Sequence, residues 1–205
     1  MYTVYGLGTP NGFKISIALA ELKQAYACKI IDIAKGEQFA PEFLALNANH
    51  KIPVLVDSAA EGGELVLAES GAILLYLAEK HGQFLPAATH ERWATIQWLM
   101  FQMGGFGPML GQLHHFKVYA PEVVPYGVNR YDAEGRRLYG VLNTQLAGKD
   151  YVVGQNYTIA DMALYPWAYP HEQQGIDLAD YPNVKAWFER VGARSAVQEG
   201  MAAFG

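Results

Sequence analysis

The chain has 205 residues, 51% of them hydrophobic and 17% charged, so it can fill one large core or two small ones and is too apolar to be disordered. Its net charge of −5 comes without any cluster of Lys and Arg, which argues against nucleic acid as a partner. The single cysteine, Cys28, excludes an internal disulfide framework, a thiolate metal cluster within one chain and a Cys-x-x-Cys redox centre.

Gly6, Gly8 and Pro10 interrupt the N-terminus before an apolar leader could form, and the most apolar run, Ala72 to Ala78, stops at Glu79 and Lys80. No membrane segment is read, and a soluble cytoplasmic protein is the expectation. Composition divides the chain. Residues 1–80 hold six Lys, no Arg and no Trp, whereas the remainder holds six Arg and all four Trp. The boundary falls near Gly82-Gln83-Phe84-Leu85-Pro86.

Tyr2 to Tyr5 is β-branched and aromatic and ends at Gly6, which predicts a strand. Asn11 then opens a helix whose Ile15, Ala18, Leu19 and Leu22 recur at helical spacing. Ala27 to Ile33 predicts a second strand, and a strand–helix–strand unit favours a parallel pair. Pro41 to Leu44 starts a short helix with proline in its first turn. Val54 to Val56 and Leu65 to Leu67 predict a hairpin around Glu61-Gly62-Gly63. Glu69 to Lys80 returns to helix, with Ile73, Leu74 and Leu77 on one face. The order β-α-β-α-β-β-α, parallel at the start and antiparallel at the end, predicts a thioredoxin-like fold.

The second part shows no strand pattern. Helices are predicted over Glu91 to Phe101, Pro125 to Leu146, after the capping box at Thr158 to Asp161, and over Val184 to Val191 behind Pro182. An all-helical bundle is the economical reading, with Asp161 a structural cap.

Three short motifs carry chemistry. Thr9-Pro10-Asn11-Gly12 stands where a thioredoxin-like protein would hold a reactive Cys-Pro-x-Cys, at a helix N-terminus that stabilises thiolates. Both cysteine positions are taken, by Thr9 and Gly12. The Thr9 hydroxyl and Asn11 amide are donors that can serve a thiolate brought in by a ligand, although an ordinary turn with an Asn cap also fits. Lys51-Ile52-Pro53-Val54 marks either a plain strand start or a cis bond beside which an extended peptide can pair. Glu69-Ser70 at a helix start is either a cap or a seat for an amino-acid head group, carboxylate on Ser70 and the helix N–H groups, ammonium on Glu69. Cys28, in an apolar run, reads as a buried, inert thiol. The adjacent His114 and His115 point to different sides and do not form a metal pair. Trp93, Trp98, Phe101 and Phe106 read as core or dimer interface.

Thr9-Pro10-Asn11-Gly12, Lys51-Ile52-Pro53-Val54 and Glu69-Ser70-Gly71-Ala72-Ile73-Leu74-Leu75-Tyr76-Leu77 together resemble the N-terminal domain of the glutathione transferases. The helical half with Asn156-Tyr157-Thr158-Ile159-Ala160-Asp161 resembles the C-terminal domain of the same superfamily. Gly36-Glu37-Gln38-Phe39 and Gly104 to Gln112 followed by His114-His115-Phe116 are most similar to the bacterial Nu class, whose members act chiefly as glutathione-dependent disulfide-bond reductases.

The resemblance implies a thioredoxin-like glutathione-binding domain over residues 1–82 and an all-helical domain over 88–205. It implies glutathione or its disulfide as cosubstrate, no metal, a homodimer, and small disulfides or hydroperoxides as substrates. Ile52 would pair its backbone with the cysteinyl unit beside a cis Pro53. Glu69 and Ser70 would hold the γ-glutamyl end, Gln38 and Lys51 the glycyl end, and Thr9 and Asn11 would face the sulfur as the catalytic donors. Gln102 and Arg130 match positions that serve a second glutathione or the dimer partner. No Tyr or Ser stands near Asn11 as a thiol activator, which tells against conjugation of electrophiles. A conventional transferase or peroxidase, and a non-catalytic glutathione-binding protein, are the alternatives.

Overall fold

The first strand, β1 (Tyr2–Gly6), leads through a short loop into helix α1 (Pro10–Glu21) and back to β2 (Tyr26–Ile30). This computed structural model describes residues 1–204. β1 and β2 pair in parallel, from Tyr2 opposite Tyr26 to Gly6 opposite Ile30, so the helix supplies the crossover that a parallel pair requires. A short helix α2 (Pro41–Leu44) precedes the hairpin of β3 (Val54–Asp57) and β4 (Leu65–Ala68). β3 runs antiparallel to both β1 and β4, giving the sheet order β2-β1-β3-β4. Helix α3 (Ser70–His81) follows. This is the expected thioredoxin-like order.

Two local expectations shift. Thr9, not Asn11, caps α1: its Oγ1 accepts the Gly12 N–H at 3.3 Å, and Pro10 takes the first helical position, where its missing N–H costs nothing. β2 ends at Ile30 rather than Ile33 because Asp32 Oδ1 accepts the N–H groups of Ala34 and Lys35, a side-chain turn that competes with the ladder. Cys28 also departs from its expected burial. It lies exposed on β2, an edge strand, because the apolar run there has a neighbour on one side only.

The chain divides into two compact units, Met1–Gln83 with the residues from Arg194 onward, and Phe84–Ala193. The helical domain expected over 88–205 therefore loses its last segment. Helix α10 (Ser195–Met201) belongs to the first unit. Ser16 Oγ donates to the Gly200 carbonyl at 2.6 Å, and Arg194 grips the Glu21 carboxylate with two bonds of 2.6 and 2.8 Å, a bidentate fork. The first unit's core gathers Val4, Ile15, Leu19, Val54, Ile73, Leu74 and Leu77.

The second unit is helical. α4 (Thr89–Phe101) and α5 (Gly107–His114) are joined by a π-helical turn over Gln102–Phe106, and a second π turn over His115–Tyr119 closes α5. Pro108 stands at the start of α5 without an N–H, and a π turn keeps the chain helical through such a gap. α6 (Pro125–Gln145), α7 (Ile159–Ala168), the short α8 (His171–Gln174) and α9 (Pro182–Gly192) complete the unit. The capping box is present as read. Asp161 also accepts from the Val152 N–H at 3.0 Å and Trp187 Nε1 at 2.9 Å. One buried carboxylate thus ties α7 to α9 and to the preceding loop.

Candidate functional site

The pairing register gathers the three motifs at one end of the sheet. Val54, the first residue of β3, lies opposite Tyr5 near the end of β1 and opposite Ala68, the last residue of β4. Pro53 therefore enters the sheet where Gly6 leaves it toward Thr9, and where Ala68 leaves it toward Glu69. Ile30, opposite Gly6, leaves at the same end, so the segment carrying Gln38 and Lys51 starts there too. Ligand sites in open α/β sheets sit where strands end and helices begin.

Thr9 Oγ1 is partly occupied by its capping bond, and it donates only a long bond of 3.4 Å to the Leu7 carbonyl. Asn11 follows in the first turn of α1, half-buried. Gly12 is held to its identity by contact: a Cβ there would lie 2.2 Å from the Leu7 carbonyl oxygen. The Phe204 ring packs edge-on against Phe13, with centroids 5.9 Å apart.

The Ile52–Pro53 bond is cis, one of the two readings the sequence left open. Among the described residues no backbone group bonds to the Ile52 N–H or C=O. Lys51 is exposed, and its carbonyl accepts Asn47 Nδ2 at 2.8 Å. Gln38 lies in a short 3-10 turn, and its Oε1 is buried without a hydrogen-bond partner. Its neighbour Phe39 packs at a tilt against His50, with centroids 5.4 Å apart.

Glu69 adopts φ 68°, ψ 108°, a conformation that costs a non-glycine residue roughly 1–3 kcal/mol and clusters at binding sites. It caps α3 by position only, because α3 has no side-chain cap. Ser70, 3% exposed, starts the helix. Its Oγ accepts from Lys14 Nζ at 3.2 Å. An uncapped helix N-terminus with a hydroxyl in its first turn is a seat for a carboxylate.

Lys14 is a site residue that the motifs do not name, although it stands in phase with Ala18 and Leu22 on the face that α1 buries. It is 0% exposed, and burial pulls its ammonium down to about 7 against the opposing effect of the Glu69 carboxylate.

Gln102 and Arg130 lie in the second unit. Gln102 is 1% exposed, and its Nε2 sits where a Cβ on Gly107 would fall. Gln102 opens the π turn that leads from α4 to α5. Arg130 is exposed and lines an open cavity of about 700 Å³ with Met109, Tyr126, Asn129, Glu134 and Arg137.

Residues 1–79 match the glutathione S-transferase N-terminal domain and residues 128–195 the C-terminal domain. The disulfide-bond oxidoreductase YfcG of Escherichia coli is 52% identical over 98% of this chain and 94% of its own length. The disulfide-bond oxidoreductase YghU of the same organism is 41% identical over 96% and 73%. Among solved structures, a glutathione transferase from Burkholderia graminis with two glutathione molecules per subunit superposes with a TM-score of 0.92 at 41% identity, over 98% of this chain and 87% of that one. A glutathione transferase from Pseudomonas putida with one glutathione disulfide per subunit gives 0.93 at 39% identity, over 100% and 92%. Both halves of the chain are matched, and it belongs to the glutathione S-transferase family.

Proposed function

We propose that the chain is a glutathione-dependent disulfide-bond oxidoreductase of the Nu class, in which glutathione supplies both sulfurs. The observation that carries this reading is a thioredoxin-like helix start capped by Thr9 with no cysteine beside it. The names of YfcG and YghU support the activity, and the two glutathiones or one glutathione disulfide held by structural relatives support the stoichiometry.

Exchange then runs in two displacements. A glutathione thiolate attacks one sulfur of the substrate disulfide, forming a glutathione mixed disulfide and expelling a thiolate. A second glutathione thiolate attacks the glutathione sulfur of that mixed disulfide, giving glutathione disulfide and the second substrate thiolate. Two thiol protons pass from the glutathiones to the products, and the two electrons from the glutathione sulfurs reduce the disulfide. Attack is fastest for a thiol whose pKa lies near ambient pH, with the sulfurs aligned. Thr9 and Asn11 serve the first need by hydrogen bonds to the thiolate at the positive end of α1. Ile52 offers an unpaired backbone edge to the cysteinyl unit. Ser70 and the uncapped α3 receive the γ-glutamyl carboxylate and Glu69 its ammonium. Gln38 and Lys51 take the glycyl end. Gln102 and Arg130 serve a second glutathione or the dimer partner.

We further infer a cytoplasmic homodimer. Trp93 and Met100, seven residues apart on one face of α4, are 62% and 49% exposed. An open cavity of about 600 Å³ with Trp98 and Val141 lies on the same unit. Exposed apolar surface of this kind favours a partner. No helix among the described residues is long and apolar enough to cross a membrane.

The test is turnover of hydroxyethyl disulfide by the purified chain with excess glutathione, beside chlorodinitrobenzene and cumene hydroperoxide. Disulfide reduction should dominate. Faster conjugation or peroxide reduction would favour a conventional transferase or peroxidase, and calorimetric affinity for glutathione without turnover would mark a binding protein.

A further inference from the structure

Lys14 stands directly behind the start of α3. An ammonium has only donors, so in the 3.2 Å contact Lys14 Nζ donates and Ser70 Oγ accepts. The helix end in front of it has no side-chain cap and favours an anion. Several charged groups lie on or beside the elements packed against α1: Glu79, Lys80 and His81 on α3, Glu199 on α10, Glu21 on α1 and Glu69 before α3. β1 contributes only tyrosines. Glu21 is taken by Arg194 and Lys80 by Asp57, and Glu69 is the charge that acts on Lys14.

We propose that Lys14 is a positioning residue for glutathione: its ammonium is the buried counter-charge of the γ-glutamyl carboxylate seated at Ser70, and binding of that carboxylate takes up a proton from solvent onto Lys14. This rests on the glutathione reading above. With a value of about 7 in the free protein, Lys14 is divided between its charged and neutral forms at neutral pH. A carboxylate brought beside it favours the charged form, so ligand and proton bind cooperatively. The sign is fixed by that coupling. Affinity is highest below pH 7, falls as pH rises through the free value, and levels once pH passes the higher bound value. The effect lies in ligand binding, so it appears in KM for glutathione and leaves kcat nearly unchanged.

The test is calorimetric titration of the full chain with S-methylglutathione, which lacks a titrating thiol, at pH 7.5 in phosphate and in Tris. The dependence of the heat on buffer ionisation counts protons. Wild type should take up roughly half a proton or more per ligand, as a group near 7 requires. Lys14→Met should show that much less uptake, and affinity about tenfold weaker at pH 6.5 and flat up to pH 8. Titration of the ligand's own amine is common to both proteins and cancels in the difference. A ligand whose γ-glutamyl α-carboxyl is amidated should bind wild type without the uptake, which decides the matter even where Lys14→Met fails to fold. Binding of S-methylglutathione without proton uptake overturns the role of Lys14 alone. Failure to bind either S-methylglutathione or glutathione overturns the glutathione reading itself.

Discussion

Gly12 stands so close to Leu7 that a Cβ on the glycine would lie 2.2 Å from the leucine carbonyl oxygen. The same carbonyl accepts the Thr9 N–H at 2.7 Å, so the loop that aims Thr9 and Asn11 is folded against the first turn of α1. Gly12→Ala forces backbone apart rather than a flexible side chain. A loss of about 1–3 kcal/mol is expected, as for overpacking, with disulfide turnover falling more steeply than stability. Urea denaturation and a turnover assay on the same preparation check both.

Thr9 and Asn11 separate by their second roles. Asn11→Ala removes a donor to the thiolate while leaving the Thr9 cap in place, so turnover should drop about tenfold or more, the value of a hydrogen bond to a charged group, while the chain still folds. Thr9→Ala should lose activity and about 1 kcal/mol from the lost N-cap. Thr9→Ser restores the cap and should restore the stability. An unchanged rate in Asn11→Ala would remove it from the mechanism.

Much of this was legible in the sequence, and the failures have local causes. The element order, the hairpin and the Thr158–Asp161 box follow from periodicity and capping chemistry, both local in sequence. The apolar run places the end of β2 three residues too far because Asp32 turns the chain with its own side chain. Cys28 was expected to be buried because an apolar run does not reveal that its strand is an edge. The sequence places α10 with the helical half because nothing local says that Arg194 reaches back to Glu21. The site motifs were visible as three turns. Their convergence depends on the antiparallel register at Val54, a long-range fact.

Asp161 holds the second unit together from a fully buried position. Burial pushes its carboxyl up, against donors from Val152, Trp187 and Thr158 that favour the charged form. Asp161→Ala leaves those donors unsatisfied and should cost about 3 kcal/mol or more, whereas Thr158→Ala should cost about 1 kcal/mol. Chemical denaturation monitored by tryptophan fluorescence measures both, since Trp187 is one of the partners.

Asp57 gives the first unit an acid sensitivity. Burial alone would raise its carboxyl, but hydrogen bonds from Lys80 and Tyr76 outweigh it and hold the group below its ordinary value. A carboxyl depressed in the folded state contributes stability above its unfolded value, near 4, and loses it as pH falls through the folded value. Stability should therefore decline below about pH 4, and Lys80→Met should flatten that decline while lowering stability at pH 7. Denaturation midpoints from pH 2.5 to 7 give the comparison.

The chain's lone thiol provides the sharpest test of where the reacting sulfur comes from. Cys28 sits exposed in the middle of an edge strand, and partial desolvation pushes its thiol up rather than down, the opposite of an activated nucleophile. The decisive measurement is reduction of hydroxyethyl disulfide by Cys28→Ser with excess glutathione. A rate equal to wild type and well above uncatalysed exchange is expected if glutathione brings the sulfur. A rate that falls to the uncatalysed level would contradict it and return the chemistry to the protein's own cysteine.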